Sequence, residues 1–151
     1  MPELKDRLRA ELTAAMKARD AVRTRTLRMA LASVANEEVA GSASRELSDD
    51  DVQRVLAREA RRRREAADAF EGAGRKEQAA AERAEGSVLA EYLPAQLDDA
   101  ELAAIVADAI AETGASGMSA MGQVMKAVTP RVAGRAEGSR VAAEVRRALA
   151  G

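Results

Sequence analysis

The sequence contains neither cysteine nor histidine. Without thiolates or imidazoles there is no disulfide, no thiolate metal site and none of the Ser–His or Cys–His pairings that most often activate a nucleophile. Catalysis would have to rest on carboxylates, lysines, serines or the single Tyr92, and no such groups stand in a catalytic arrangement. A Gly-x-x-x-x-Gly-Lys phosphate loop and a Gly-x-Ser-x-Gly elbow are both missing. No metal and no cofactor is expected. Tryptophan is absent too, leaving Phe70 and Tyr92 as the only aromatic residues. A core must be assembled from Leu, Val, Ile, Met and Ala, which favours closely approaching helices over a strand-built sandwich. No apolar run is long enough to span a bilayer, and the N-terminal Met1-Pro2-Glu3-Leu4-Lys5 lacks the apolar segment of a secretory leader. A cytoplasmic location without a membrane partner is expected.

Charge is abundant and segregated. The 24 basic and 25 acidic side chains nearly cancel, yet the first 28 residues carry eight Lys or Arg against four Asp or Glu, and the last 26 carry six against two. Between Ala84 and Met125 there is no basic residue, while Glu85, Glu91, Asp98, Asp99, Glu101, Asp108 and Glu112 run through the gap. That stretch should repel phosphate. Two readings fit: ordinary solvated helix faces, or a surface that meets a polyanion at some places and avoids it at others.

Helical periodicity accounts for nearly the whole chain. Leu4, Leu8, Leu12 and Met16 recur every turn, followed by Leu27, Leu31 and Val34, which predicts two antiparallel helices joined near Asp20. Residues 41–47 read as a loop. Ser48 with Asp51 three residues on is a capping start, and the acidic first turn suits the positive end of a helix dipole. This third helix should end near Phe70, broken by Gly72 and Gly74. A fourth carries Glu77 to Glu91, weakened by about 1 kcal/mol at Gly86, until Tyr92-Leu93-Pro94 stops it. Pro94 marks the predicted boundary between an N-terminal bundle of about four helices (1–93) and a C-terminal three-helix domain (94–151). There, Asp98 with Glu101 caps a stripe of Leu102, Ile105, Val106, Ala109 and Ile110 that ends at Thr113-Gly114. Met118, Met121, Met125, Val128 and Val132 continue as core-filling positions, with a kink expected at Pro130. Residues 134–138 form a turn, and Val141, Val145 and Leu149 define a last helix. The predicted fold class is all-α.

The most informative local feature is the run Arg58-Glu59-Ala60-Arg61-Arg62-Arg63-Arg64-Glu65. At 100 degrees per residue, Arg54, Arg58, Arg61 and Arg64 fall opposite Val52, Val55, Leu56 and Phe70 and form a basic ridge, with Arg62 in the same run. Planar guanidinium groups can each engage two phosphate oxygens, so the ridge could hold a folded RNA by its backbone. A solvated face countered by Glu65 is the alternative. Glu59 and Arg63 fall inside the apolar stripe instead, as a buried bridge or the lining of a cleft. Near the C-terminus, Gly134 to Ser139 lead into a helix whose free N–H groups could accept phosphate, helped by Arg135, Arg140, Arg146 and Arg147, unless Ser139 merely caps that helix.

Arg23-x-x-Thr26-Leu27-Arg28, Arg62-Arg63-Arg64-Glu65-Ala66-x-x-x-Phe70, Gly74-Arg75, Tyr92-Leu93-Pro94-x-Gln96-Leu97, Gly114-Ala115, Met121-Gly122-x-Val124-Met125 and Gly134-Arg135-Ala136-x-Gly138, in this order over nearly the whole chain, resemble the GatB/YqeY family, specifically its free-standing YqeY-like members. The resemblance implies an all-helical protein with an N-terminal bundle and a small C-terminal three-helix unit. Glu59 and Arg63 are structural positions by their place in the apolar stripe, and the segments that carry the resemblance add Phe70, Tyr92, Pro94, Gly114, Gly122, Gly134 and Gly138 as further structural positions. The related domain forms the tail of the B subunit of the tRNA-dependent aspartyl/glutamyl amidotransferase, where it helps hold tRNA while the amidase and kinase parts lie elsewhere. By similarity the family carries the label of carbon–nitrogen ligase with glutamine as amido donor. The expected role is a tRNA-binding accessory module whose partner is tRNA or a tRNA-bound enzyme, with a second protein subunit possible. The alternative is a protein-binding scaffold that docks through its acidic stretch and has no RNA role.

Overall fold

The computed structural model describes residues 3–151, and all regular structure among them is helical, as the periodicity implies. The chain divides into two compact units, one ending at Leu93 and the other beginning at Pro94. No helix among the described residues is long and apolar enough to cross a membrane.

The first unit contains α1 (Glu3–Lys17), α2 (Ala21–Val39), α3 (Asp49–Gly72) and α4 (Lys76–Ala90). Its core joins Leu4 and Leu8 of α1, Leu27, Ala30 and Val34 of α2, Val52, Val55 and Leu56 of α3, and Leu89 and Tyr92 at the end of α4. The buried alanines at 15, 30, 67 and 79 let helix backbones approach closely, the packing that an aromatic-poor sequence requires. The α1 stripe fades along its length: Leu8 is fully buried, Leu12 partly buried and Met16 exposed. Phe70 is only half-buried and lies outside that core cluster. The loop after α2 folds Leu47 into the core, and its N–H donates to the Glu38 carboxylate (3.2 Å). The Lys5 ammonium binds the same carboxylate at 2.7 Å, and these two donors hold the Glu38 carboxyl below the usual carboxylate range. Asp49 accepts from the Leu4 N–H (3.1 Å), so the first turn of α3 also caps α1. Ser48 caps α3 itself through the Asp51 N–H, as its position in the sequence implies.

The second unit consists of α5 (Asp99–Thr113), a 3₁₀ turn (Met118–Ala120), α6 (Met121–Val132) and α7 (Gly138–Ala150). Asp98 and Glu101 form the complete capping box at the start of α5, and Gly114 ends that helix in the left-handed conformation (φ 65°). The core is mostly valine: Val106, Val124, Val128, Val132, Val141 and Val145, joined by Leu97, Leu102 and Ala109. The methionines do not fill it as expected. Met118 is exposed and Met121 and Met125 are half-buried at its margin, because the four-residue spacing of Val124, Val128 and Val132 sets the inward line of α6. Pro130 sits inside α6, which continues to Val132. Leu97 donates its N–H to the Arg135 carbonyl (2.8 Å) and so ties the lead-in segment to the turn between α6 and α7.

Two charged clusters organise the first unit. In its interior, Arg63 places Nη1 3.3 Å from Glu59 Oε2 and Nε 3.2 Å from Glu85 Oε2. All three residues are buried. Glu59 also accepts from the Ser33 hydroxyl (3.1 Å) and Glu85 from Arg25 Nε (2.9 Å), so α2, α3 and α4 all contribute to one ionic network. At the other cluster, the buried Tyr92 hydroxyl accepts from Arg23 Nη2 (2.6 Å), Arg23 also binds Glu91 (2.8 Å) and Glu11 (3.3 Å), and the Arg7 guanidinium lies 4.7 Å from the tyrosine ring centroid. Burial, with the neighbouring Glu11 adding to it, pushes the Tyr92 phenol up to about 12.

Removing Arg63 would take the shared buried cation from between two carboxylates, leaving Glu85 with Arg25 alone and Glu59 with Ser33 and the exposed Arg62, so Arg63→Ala should destabilise by about 3 kcal/mol and lower the melting temperature by on the order of 10 °C. An unchanged thermal denaturation curve would refute the buried bridge. As the only tyrosine, Tyr92 reports on its own environment. A phenol raised from 10.0 to about 12 stabilises the fold fully below pH 10.0, and that contribution fades as pH climbs toward 12. Ultraviolet titration of the native protein should therefore show tyrosinate appearing near pH 12; ionisation near pH 10.0 would show that the ring is solvated.

Candidate nucleic-acid interface

Arg54, Arg58, Arg61, Arg62 and Arg64 are all exposed on α3, whose opposite side buries Val52, Val55 and Leu56. The ridge exists, but acids accompany it. Arg54 lies 3.1 Å from Asp51, Arg58 3.4 Å from Glu37, Arg61 3.8 Å from Glu65 and Arg62 3.4 Å from Glu59. The Asp51 carboxyl is held below the usual range by the Ser48 hydroxyl and Arg45, so it faces Arg54 as a full charge at neutral pH. The pairs of Arg54, Arg58 and Arg61 lie at the surface and contribute at most about 1 kcal/mol each. They lower the local potential without locking the guanidinium groups away from a competing phosphate.

In the second unit the expected arginines have varied surroundings. Arg135 turns back on α6, donating to the carbonyls of Val132 (3.1 Å) and Arg131 (2.9 Å), and thereby closes the end of that helix. Arg140 binds Asp99 (2.9 Å), and Arg147 makes a short two-pronged contact with Glu144. The Arg147 hydrogen bond holds the Glu144 carboxyl below its usual range. Arg146 is exposed and makes no ion pair among the described residues. Ser139 lies inside α7 and does not cap it; Glu137 occupies the cap position. Gly134, like Gly114, is left-handed (φ 77°), whereas Gly122 and Gly138 have open space where a Cβ would stand and ordinary backbone angles. Nothing in the fold demands glycine at those two positions. Pro94 follows the end of α4 and is half-buried.

The acidic stretch does not stay unpartnered. Glu85 is inside the first unit with Arg25 and Arg63, Glu91 binds Arg23, Asp99 binds Arg140 and Glu112 binds Arg131. Its basic partners come from distant parts of the chain, which local charge arithmetic cannot register. No group of acidic side chains that could hold a metal ion occurs among the described residues.

One basic region escaped the sequence reading. Lys17, Arg19 and Arg28, around the turn between α1 and α2, are exposed and make no ion pair among the described residues. Arg75 and Lys76, at the turn between α3 and α4, share that property. The excess of positive charge in the first 28 residues signalled the first group, but it could not say which cations would meet carboxylates after folding.

The fold and these side chains define a small all-helical protein of two compact units that presents arginine to solvent. A family model described as Yqey-like protein matches residues 5–149, nearly the entire chain. The protein belongs to that family. A comparison with curated proteins returns no match.

Proposed function

We propose that this protein is an accessory module that binds tRNA, gripping the folded RNA by shape and phosphate and making or breaking no bonds itself. The observation that carries this reading is the set of five exposed arginines, Arg54, Arg58, Arg61, Arg62 and Arg64, on one helix whose other side is fixed in the core. The carboxylate partners of Arg54, Arg58 and Arg61 are surface groups, and Glu59, beside Arg62, is already bonded elsewhere. A phosphate can replace them at small cost, because charge-assisted bonds from guanidinium to phosphate are at least as strong. Membership of the YqeY-like family supports the reading through the resemblance to the amidotransferase tail domain. A protein-docking role through the acidic stretch is the second reading: Glu85 is buried and unavailable to it, while Glu91, Asp99 and Glu112 make exposed pairs that a basic partner could displace, and it is the family resemblance that favours RNA.

Filter-binding titration with a tRNA transcript tests the proposal. Four phosphate contacts, each contributing a slope of about 0.7 to 0.9, predict that affinity falls roughly 50- to 150-fold between about 50 and 200 mM salt. No retention at the lower salt, or retention indifferent to salt, would overturn it. So would glutamine-dependent amide formation by the purified chain alone, because bond-making would then reside here.

A further inference from the structure

The turn between α1 and α2 borders an open depression of about 630 Å³, within the range that small-molecule and nucleotide-sized ligands fill. Its apolar surface comes from Met16 and Met29, two of the few large hydrophobic side chains left exposed (50% and 45%). Around them stand Arg19, Arg25 and Arg28 against a single acid, Asp20. The Asp20 carboxylate is already engaged, accepting from the Arg23 N–H (3.0 Å) as the cap of α2. Arg19 and Arg28 have no acidic partner at all among the described residues.

The lining is braced from beneath. Arg25 is held by the buried Glu85 (2.9 Å), and Met29 receives Arg63 Nη2 on its sulfur (3.3 Å). Both residues are thus anchored by the ionic network in the interior, which leaves the depression shaped before any ligand arrives. Arg28 Nη2 lies 3.7 Å from the Met16 sulfur, so cation and thioether sit side by side.

Arg19 itself is strained. It adopts φ 57°, and the following N–H, of Asp20, closes on the Ala15 carbonyl (3.0 Å). The same turn ends α3, where Arg75 N–H closes on the Phe70 carbonyl (2.8 Å), but there the left-handed residue is Gly74 (φ 76°). An arginine at the glycine position of this motif costs stability and adds nothing to the packing. Such strain is understandable where the side chain is needed.

We infer that this depression receives one unstacked nucleotide of the bound RNA, its base against Met16 and Met29 and its phosphates on Arg19 and Arg28. An apolar floor rimmed by unpaired guanidinium groups matches an amphiphilic anion with a flat apolar face. Within an RNA that description fits a splayed-out nucleotide and not a stacked duplex, whose bases are covered. The inference rests on the tRNA-binding reading and adds the place and the chemical feature recognised.

The test compares the parent chain with Arg19→Gly/Arg28→Gln and with Met16→Gln, using a tRNA transcript, a short single-stranded oligoribonucleotide and an RNA duplex of equal length. Arg19→Gly relieves the backbone strain, so the double variant should melt no lower than the parent while binding tRNA about tenfold more weakly, with a salt slope reduced by about 1.5. Met16→Gln should weaken binding about fivefold with the slope unchanged, since it removes apolar contact and no charge. The single strand should compete with tRNA better than the duplex. Parent-like binding by both variants, or equal competition by the duplex, would overturn the inference and leave tRNA binding intact. Failure of the parent to bind tRNA would overturn both.

Discussion

Arg63 enters the interior of the helical bundle between two carboxylates, Glu59 on its own helix and Glu85 on α4. A charge placed there is tolerated only while each partner is in position, because the desolvation of an unpaired ion outweighs most single packing gains. The network therefore does more than link two helices. Ser33 and Arg25 bring α2 into it, so three helices share one set of directional contacts.

The same centre reaches the surface. Through Arg25 and Met29 it shapes the depression beside the α1–α2 turn, and through Glu59 it holds Arg62 at the edge of the ridge on α3. Interior and surface electrostatics are continuous here. The ridge carries many cations beside paired acids, whereas the turn carries fewer, of which Arg19 and Arg28 have no acidic partner among the described residues. For a polyanion the first offers many exchangeable contacts and the second a focal point where no resident acid must be displaced. The left-handed Arg19 stands at that focal point.

Much of the architecture was legible in the residues. Ser48, Asp98 and Gly114 act at helix ends as their types imply, since capping depends on groups within four residues. Glu59 and Arg63 were readable as inward-facing from the helical wheel. The methionines from 118 to 125 and Ser139 were less so. Their spacing is compatible with a core stripe and a cap, but valines four residues apart hold the inward line of α6, and α7 begins one residue before Ser139, at Gly138. Competing signals of similar strength are decided by packing, which no local window contains.

Charge shows the division most plainly. Sequence alone determined that the protein is helical, that its cations gather toward its ends and on one helix, and that histidine and cysteine chemistry is excluded, because these depend on composition and on spacings of three and four. Tertiary structure decided which of those cations keep their charge uncompensated. Arg23 meets Glu91 across 68 positions of chain and Arg25 meets Glu85 across 60, while Arg19 and Arg28, from the same basic segment, meet no acid among the described residues. Coulombic pairing acts through distance in space, and only the folded chain sets that distance.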